Sequence, residues 1–183
     1  IINSKIDLVN DTANIYSYAN INEFSSLGYN LKLKYKLHPR LNFTFGISRT
    51  GIFTSISELS RKLNNYTYTT DYAAEFRYDL FHYGINLSAF YKLNGKYPYY
   101  YRDNLDKVAL GYMNSYNSLD VSLNKSFLKK NLIISVGGKN LFNITNVPKA
   151  GAGAGVHNEG GNSSPVGWGR TFFVGLNYKF GTF

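Results

Sequence analysis

The sequence predicts an all-β fold, an antiparallel transmembrane β-barrel, from three observations. Apolar and polar side chains alternate along most of the 183 residues, and such alternation places them on opposite faces of extended strands. Several of the alternating runs contain ten or more residues, which is the length that crosses a bilayer at a tilt. From residue 38 onward short connections alternate with long ones, as the turns and loops of outer-membrane barrels do.

The clearest alternation lies in residues 31–47, on either side of His38-Pro39-Arg40. Apolar residues occupy every second position: Leu31, Leu33, Tyr35, Leu37, Leu41, Phe43, Phe45 and Ile47. Because proline presets a turn dihedral and has no amide donor, we predict a tight hairpin that turns at this tripeptide. The apolar face could contact a second sheet in a soluble sandwich or lipid in a barrel, and alternation alone does not choose between them.

The other elements follow in order along the chain. Strands are predicted at 1–9, 14–37, 41–51, 67–81, 84–95 and 112–127, then in a partner strand that ends near 143 and a last strand that contains residues 172–180. Short connections are predicted at 10–13, Phe81-His82-Tyr83 and Lys129-Lys130-Asn131, and long ones at 52–66, 96–111 and 144–166. Apart from 10–13, the short connections lie at one end of the sheet and the long ones at the other.

Charged residues occupy the polar faces of two predicted strands. They are Lys32, Lys34 and Lys36 on one strand and Glu75, Arg77 and Asp79 on another. Because an unpaired charge in lipid is costly, we expect all six side chains to face water or protein in the barrel lumen. The alternating signs of the second group indicate an ionic network rather than a catalytic pair of carboxylates.

The composition excludes several classes of function. The absence of Cys removes disulfides, thiol catalysis and cysteine metal sites. His38, His82 and His157 are far apart in the chain, so we predict no metal site. No nucleophile elbow or phosphate-binding loop occurs in the sequence, and we expect neither a cofactor nor an enzymatic activity. Although the net charge is +9, the basic residues are scattered along strands, so we expect no nucleic acid partner.

Residues 97–102, Tyr-Pro-Tyr-Tyr-Tyr-Arg, lie in the predicted extracellular loop 96–111. Aromatic rings beside a guanidinium are typical of surfaces that bind ligands. The predicted ligand-binding residues are Tyr97, Tyr99, Tyr100, Tyr101 and Arg102. The alternative is that this segment extends a strand above the membrane. The Gly-rich loop 144–166 is better suited to closing over a ligand than to contacting it.

Residues 138–148, 169–180 and 19–31 carry a family resemblance. The first segment, GKNLFNITNVP, contains a KNLFN signature that resembles the one near the penultimate strand of TonB-dependent outer-membrane receptors. The second resembles the closing strand of that family, and the third is similar to a long descending strand. In the third segment Tyr29 and Asn30 stand where the family usually has Val and Glu. The abundance of Asn, Tyr and Lys resembles Bacteroidetes members of the family.

The resemblance implies a barrel of 22 strands that encloses an N-terminal plug. Residues 1–183 would then be the C-terminal segment of that barrel, with about eight strands and without the plug or the box that contacts TonB. The chain opens in a strand pattern with no signal peptide before it, so we expect it to be a piece of a longer polypeptide.

The function that the resemblance implies is active uptake of a scarce solute, a siderophore, haem, cobalamin or a glycan, across the bacterial outer membrane. The implied partners are outer-membrane lipid and lipopolysaccharide, the remainder of the barrel and its plug, a surface lipoprotein, and the TonB complex through the N-terminal part of the receptor. Two alternatives stay open: a self-contained eight-stranded barrel that acts as an anchor or adhesin, and a soluble sandwich that binds sugar. Side chains fill the interior of so narrow a barrel, so the three stacked lysines would need acidic partners close by.

Overall fold

The computed structural model describes residues 4–9, 15–20, 23–55, 66–102, 108–150 and 163–180. The strands are β1 (Ser4–Val9), β2 (Ile15–Asn20), β3 (Glu23–His38), β4 (Leu41–Ser55), β5 (Thr67–Leu80), β6 (Ile85–Asn94), β7 (Tyr97–Arg102), β8 (Val108–Met113), β9 (Tyr116–Phe127), β10 (Leu132–Lys139), β11 (Asn146–Ala150), β12 (Ser163–Pro165) and β13 (Thr171–Tyr178). The predicted all-β class is therefore confirmed. Within the same ranges, no helix has the length and the hydropathy that crossing a membrane requires.

The strands form three sheets with antiparallel pairing. The largest sheet has the order β13-β10-β9-β6-β5-β4-β3, a second has the order β12-β11-β8-β7, and β1 pairs with β2 alone. Among the described residues the seven-stranded sheet ends at β3 and β13, which do not pair with each other. These strands therefore form an open sheet and not a closed barrel of their own, and the number of 22 strands stays a prediction.

The described residues divide into two compact units, one within Ile1–Tyr29 and Thr50–Tyr68 and the other within Asn30–Arg49 and Thr69–Phe183. The first unit holds the β1–β2 hairpin and a small aromatic cluster. In that cluster the ring of Tyr66 lies 5.8 Å from the ring of Phe53. The Tyr66 hydroxyl also lies 2.8 Å from the hydroxyl oxygen of Ser25, a hydrogen-bonding distance.

In the second unit the strand register separates an apolar face from a polar face. One row across five neighbouring strands contains Tyr78, Leu87, Leu123, Val136 and Val174. The adjacent row, which lies one residue away on every strand, contains Asp79, Asn86, Asn124, Ser135 and Gly175. Because successive side chains of a strand point to opposite faces, the first row belongs to the apolar face and the second to the polar face.

The apolar face is open along the second unit. Leu33 of β3 is 65% exposed and Val174 of β13 is 80% exposed, and Val147 is the one hydrophobic side chain of the described residues that is fully buried. A soluble sandwich would bury these leucines between two sheets. The described strands therefore do not form the sandwich that was the alternative, and their exposed apolar face suits lipid as its neighbour.

The short connections lie where the sequence predicts them. The chain turns at residues 39–40, in a 3-10 turn at Phe81–Tyr83 and in a second one at Leu128–Lys130. Gly84 ends the first 3-10 turn with a φ of 59°, a left-handed conformation that suits glycine. All of these connections join strands of the seven-stranded sheet and lie at the same end of it.

Several predicted boundaries are corrected. The strand predicted at 14–37 is two strands, β2 and β3, which belong to different sheets, and β2 ends at Asn20, a residue type that is depleted in strands. The strand predicted at 41–51 continues to Ser55, and the partner strand predicted to end near 143 ends at Lys139. The rest of the connection 52–66 and the connection 10–13 lie almost wholly outside the described residues.

The loop predicted at 96–111 is also wrong, because its residues form most of the β7–β8 hairpin. Tyrosine favours the pleated surface of a strand, and β8 supplies a partner for every residue of β7. Short strands occur within the loop predicted at 144–166 as well, where β11 pairs with β8 and β12. Residues 103–107 and 151–162, which include the Gly-rich run, lie outside the described part of the chain.

Replacing Gly95 by alanine is expected to lower the free energy of unfolding by about 1–3 kcal/mol. A Cβ atom on Gly95 would lie 2.2 Å from the backbone oxygen of Thr70, which cannot move aside as a flexible side chain would. The matched control is Gly175→Ala, whose Cβ would lie at an ordinary distance of 3.6 Å from the Cβ of Ser135. Urea unfolding of both variants in the full native polypeptide checks this, and equal effects would contradict the close approach of Gly95 to β5.

Candidate functional site

A chain of hydrogen bonds crosses the polar face of four neighbouring strands. The Asn86 amide nitrogen donates to the Asp79 carboxylate over 2.5 Å, and the Asn124 amide nitrogen donates to the Asn86 amide oxygen over 3.4 Å. The Ser135 hydroxyl then donates to the Asn124 amide oxygen over 2.6 Å. These side chains satisfy one another's hydrogen-bonding groups along the sheet, so this part of the face is a preorganised polar wall.

A cavity of about 360 Å³ lies on the polar face beside this wall. Gly46 and Ala73 lie side by side in the lining of this cavity and form its floor. A Cβ atom added to Gly46 would lie 3.9 Å from the Cβ of Ala73. The charged residues of the lining and the aromatic residue that shares their face are Lys32, Lys92, Asp71, Glu75 and Phe90. Such a concavity can hold water, a polar solute or an inserted protein side chain.

A second cavity of about 140 Å³ follows on the same face. Its lining includes Glu75, Phe90, Asp120, Lys139 and Phe173. Phe90 lines both cavities and is 41% exposed, so its ring presents an apolar surface between charged groups. Phe90 is the residue that breaks the alternation of β6 in the sequence.

The residues predicted to face the lumen share this polar face, but their contacts differ. Lys32 borders the first cavity, and alternation along β3 puts Lys34 and Lys36 on the same face as Lys32. Glu75 and Arg77 form an ion pair in which the guanidinium Nε lies 2.6 Å from the carboxylate. Their side chains are partly exposed, so this pair adds little to stability.

The sequence-based prediction did not include several residues of this face. Lys92, Asp120 and Phe90 line the cavities, and Asn86 joins the hydrogen-bonded wall. Their parity along β6 and β9 is a signal that could have identified them, because each alternates with apolar neighbours. The position of the first cavity depends on Gly46 lying beside another strand, and no local pattern indicates that.

The tyrosine-rich segment forms β7, where Tyr99 has contacts within the protein. Its ring lies over Gly111, since a Cβ there would be 2.8 Å from the ring carbon Cζ. The Lys149 ammonium lies 5.6 Å from the centre of the same ring. Tyr97 is 44% exposed, and the side chains of Tyr100, Tyr101 and Arg102 lie outside the described part of the structure. The binding role of these five residues stays a prediction.

The KNLFN segment forms a hydrogen-bonded corner after β10. Asn140 has a left-handed φ of 50°, and its backbone amide donates to the Asp120 carboxylate over 2.8 Å. Its side-chain nitrogen donates to the carbonyl oxygens of Ile144 and Trp168, each over 2.9 Å, and its side-chain oxygen accepts from the Ile144 amide over 3.0 Å. One asparagine thus ties the end of β10 to β9 and to the segment that precedes β13.

Asn143 completes this corner. It also has a left-handed φ, 59°, and its side-chain oxygen accepts from the backbone amide of Arg170 over 2.8 Å. The Arg170 guanidinium donates in turn to the carbonyl of Leu141 over 3.0 Å. The motif therefore has a structural role, because it holds the end of β10 to the segment that precedes β13.

Comparisons with known proteins agree with this architecture. A model of the outer membrane protein beta-barrel family matches residues 1–166. Searches of the curated proteins and of the solved structures found no match. The family match covers most of the chain and includes every strand of the seven-stranded sheet except β13. The chain therefore belongs to the outer membrane protein beta-barrel family, whose place is the bacterial outer membrane.

Proposed function

We propose that the chain forms part of the barrel of a TonB-dependent receptor that takes up a scarce solute. The observation that carries this proposal is the polar face of the seven-stranded sheet, with its charged side chains and two cavities. Such a face suits a barrel whose lumen holds water, cargo or a folded plug. The resemblance of the KNLFN segment and the closing strand to that receptor family adds to this argument.

The side chains on this face support a wide barrel. Small residues such as Gly46, Ala73 and Ser122 leave space above the sheet, whereas side chains fill the interior of a barrel of eight strands. The open strand order from β13 to β3 also suits a wall that further strands complete. We therefore favour a wide barrel of 22 strands with a plug over a narrow one.

The proposed partners follow from this assignment. The plug would lie against the polar face, lipid and lipopolysaccharide against the apolar face, and the TonB complex would act through the N-terminal part of the receptor. A surface lipoprotein would bind at the long-connection end. The proposal assigns the protein transport and no catalysis, because two groups that could react, Glu75 and Asp79, are held by Arg77 and Asn86.

Growth of a deletion strain on single sources of iron, haem, cobalamin and glycans tests the proposal. We expect loss of growth on one of these sources, and the same loss in a strain whose TonB is inactive. A strain that grows normally on all of them, or a growth defect that does not depend on TonB, would reject uptake as the function.

Replacing Tyr100 and Arg102 together by alanine is expected to weaken cargo binding about tenfold or more, since aromatic and arginine side chains carry much of the energy of binding. Both residues lie in the second half of β7, which ends at Arg102. Binding of the cargo identified by the growth test, measured on purified protein, checks this. The matched control is Tyr83→Ala with Arg40→Ala at the short-turn end, which should leave affinity unchanged. Unchanged affinity in the first variant would leave the tyrosines with a structural role only.

A further inference from the structure

One lysine interrupts the apolar face near the short-turn end of the sheet. Lys125 lies opposite Ile85 of β6 and Ile134 of β10, so it belongs to the face that carries Leu123. Its ammonium donates a hydrogen bond to the backbone carbonyl of Tyr83 in the neighbouring turn. The aliphatic stem thus lies on the apolar face while the charge reaches toward the turn, as lysines do at the edge of a membrane.

Exposed aromatic and aliphatic side chains occur beside this lysine and in the two adjoining turns. The ring of Phe127 has its centre 5.5 Å from the Lys125 nitrogen and is 41% exposed. The other exposed apolar side chains of the two adjoining turns are Phe81, Tyr83 and Leu128. Aromatic residues at this level mark the boundary between the acyl chains and the headgroups.

The turn that follows β9 adds two exposed lysines, Lys129 and Lys130. Leu128, Lys129 and Lys130 all have left-handed φ angles, of 49°, 54° and 75°, which residues other than glycine seldom adopt together. The Asn131 amide closes this turn on the Leu128 carbonyl over 3.0 Å. The Ser126 amide donates to the Gly84 carbonyl over 2.7 Å and so holds the turn beside its neighbour.

No acidic residue lies in the two turns or in the strand that follows each of them. Residues 80–102 and 121–158 contain neither Asp nor Glu. The carboxylate of Asp79, the acid that comes just before the first of these segments, belongs to the polar face and accepts a hydrogen bond from Asn86. Lys125, Lys129 and Lys130, which we call the basic rim, therefore form a positive patch that no Asp or Glu of these two segments offsets, and such a patch attracts anionic headgroups.

We propose that the basic rim binds the phosphate of an anionic phospholipid in the periplasmic leaflet of the outer membrane. Short turns face the periplasm in outer-membrane barrels, so the rim lies at the level of phospholipid headgroups. The ammonium groups bind the phosphate, and Phe127 and its exposed apolar neighbours contact the acyl chains. This site holds whether or not the protein takes part in uptake, because it rests on family membership and on the short-turn end alone.

Native mass spectrometry of the full native polypeptide, stripped of lipid and titrated with phosphatidylglycerol, tests the site. The variant Lys125→Gln, Lys129→Gln, Lys130→Gln is expected to raise the Kd for phosphatidylglycerol about tenfold or more, since each basic side chain near a membrane surface contributes to the attraction. The matched control, Lys32→Gln, Lys34→Gln, Lys36→Gln, removes the same charge from the polar face and should leave that Kd unchanged. Equal weakening in both variants, or none in either, overturns the proposal.

Two further measurements separate this site from its alternatives. Titration with lipid A should give the same binding for the wild type and the rim variant, and loss of lipid A binding from the rim variant would overturn the assignment to the periplasmic leaflet. If the rim variant does not assemble, Lys→Arg substitution at the same three positions should keep phosphatidylglycerol binding. Wild-type binding should weaken as salt increases, and binding that is insensitive to salt would overturn a role for the ammonium groups.

Discussion

Replacing Val121 by arginine will prevent most of the protein from assembling in the outer membrane, whereas replacing its neighbour Ser122 by arginine will not. Val121 lies in the middle of the apolar stretch of β9, opposite Ala89 of β6. An arginine there would face lipid, which costs about 2–4 kcal/mol near the bilayer midplane. Ser122 belongs to the polar face, where its hydroxyl lies 2.7 Å from that of Ser88, and an arginine there reaches the hydrated side.

The fraction of folded protein in outer-membrane preparations, read from the shift that heating causes in gel mobility, checks this pair of variants. Leu33→Arg should behave like Val121→Arg, because Leu33 of β3 also belongs to the exposed apolar face. Lys34→Ser should assemble normally, since it removes a charge from the polar face without adding one to lipid. Similar assembly of Val121→Arg and Ser122→Arg would mean that the two faces are assigned the wrong way round.

The two faces could be predicted from the sequence because they depend on local geometry alone. Leu119, Val121 and Leu123 alternate with Asp120 and other polar residues. A strand has a side-chain period of two, so one correct phase within β9 fixes the environment of every residue in it. The same argument holds for the tight turns, where short residue patterns such as Phe81-His82-Tyr83 before Gly84 determine the geometry.

The strand breaks and the extended hairpins could not be predicted in the same way. Tyr97–Arg102 and Val108–Met113 have the composition of either a binding loop or a strand, and the deciding term is the ladder that each forms with the other. Pairing energy depends on the partner strand and not on the segment itself. The strand predicted at 112–127 is also interrupted after Met113, at a residue whose neighbour across the sheet cannot be identified from local sequence.

The candidate site was only partly predictable for the same reason. The charge of the polar face is visible from Lys32 and Glu75 in the sequence, but the cavity between them depends on Gly46 lying beside Ala73 of a different strand. Phe90 appears in the sequence as an exception to the pattern of β6. Its place between two cavities gives that exception a physical meaning, because an apolar ring among charges is costly unless something covers it.

Replacing Asn140 by alanine is expected to lower the free energy of unfolding by about 4 kcal/mol, of which three hydrogen bonds at roughly 1 kcal/mol each account for about 3 kcal/mol and the backbone conformation for about 1 kcal/mol. The side chain of Asn140 donates to the carbonyls of Ile144 and Trp168 and accepts from the Ile144 amide. Its left-handed backbone adds to the loss, because alanine adopts a φ of 50° less readily than asparagine. Urea unfolding of the reconstituted native polypeptide measures the change.

Two control variants separate the hydrogen bonds of Asn140 from its backbone conformation. Asn140→Gly loses the same hydrogen bonds but accepts a left-handed φ, so it should recover about 1 kcal/mol relative to Asn140→Ala. Asn146→Ala removes an exposed asparagine whose side-chain amide donates to the Thr145 hydroxyl over 3.2 Å, and it should change stability by less than about 0.5 kcal/mol. If Asn140→Ala proves as mild as Asn146→Ala, the corner does not hold β10, β9 and the segment before β13 together. The KNLFN resemblance would then need a reason other than the stability of this corner.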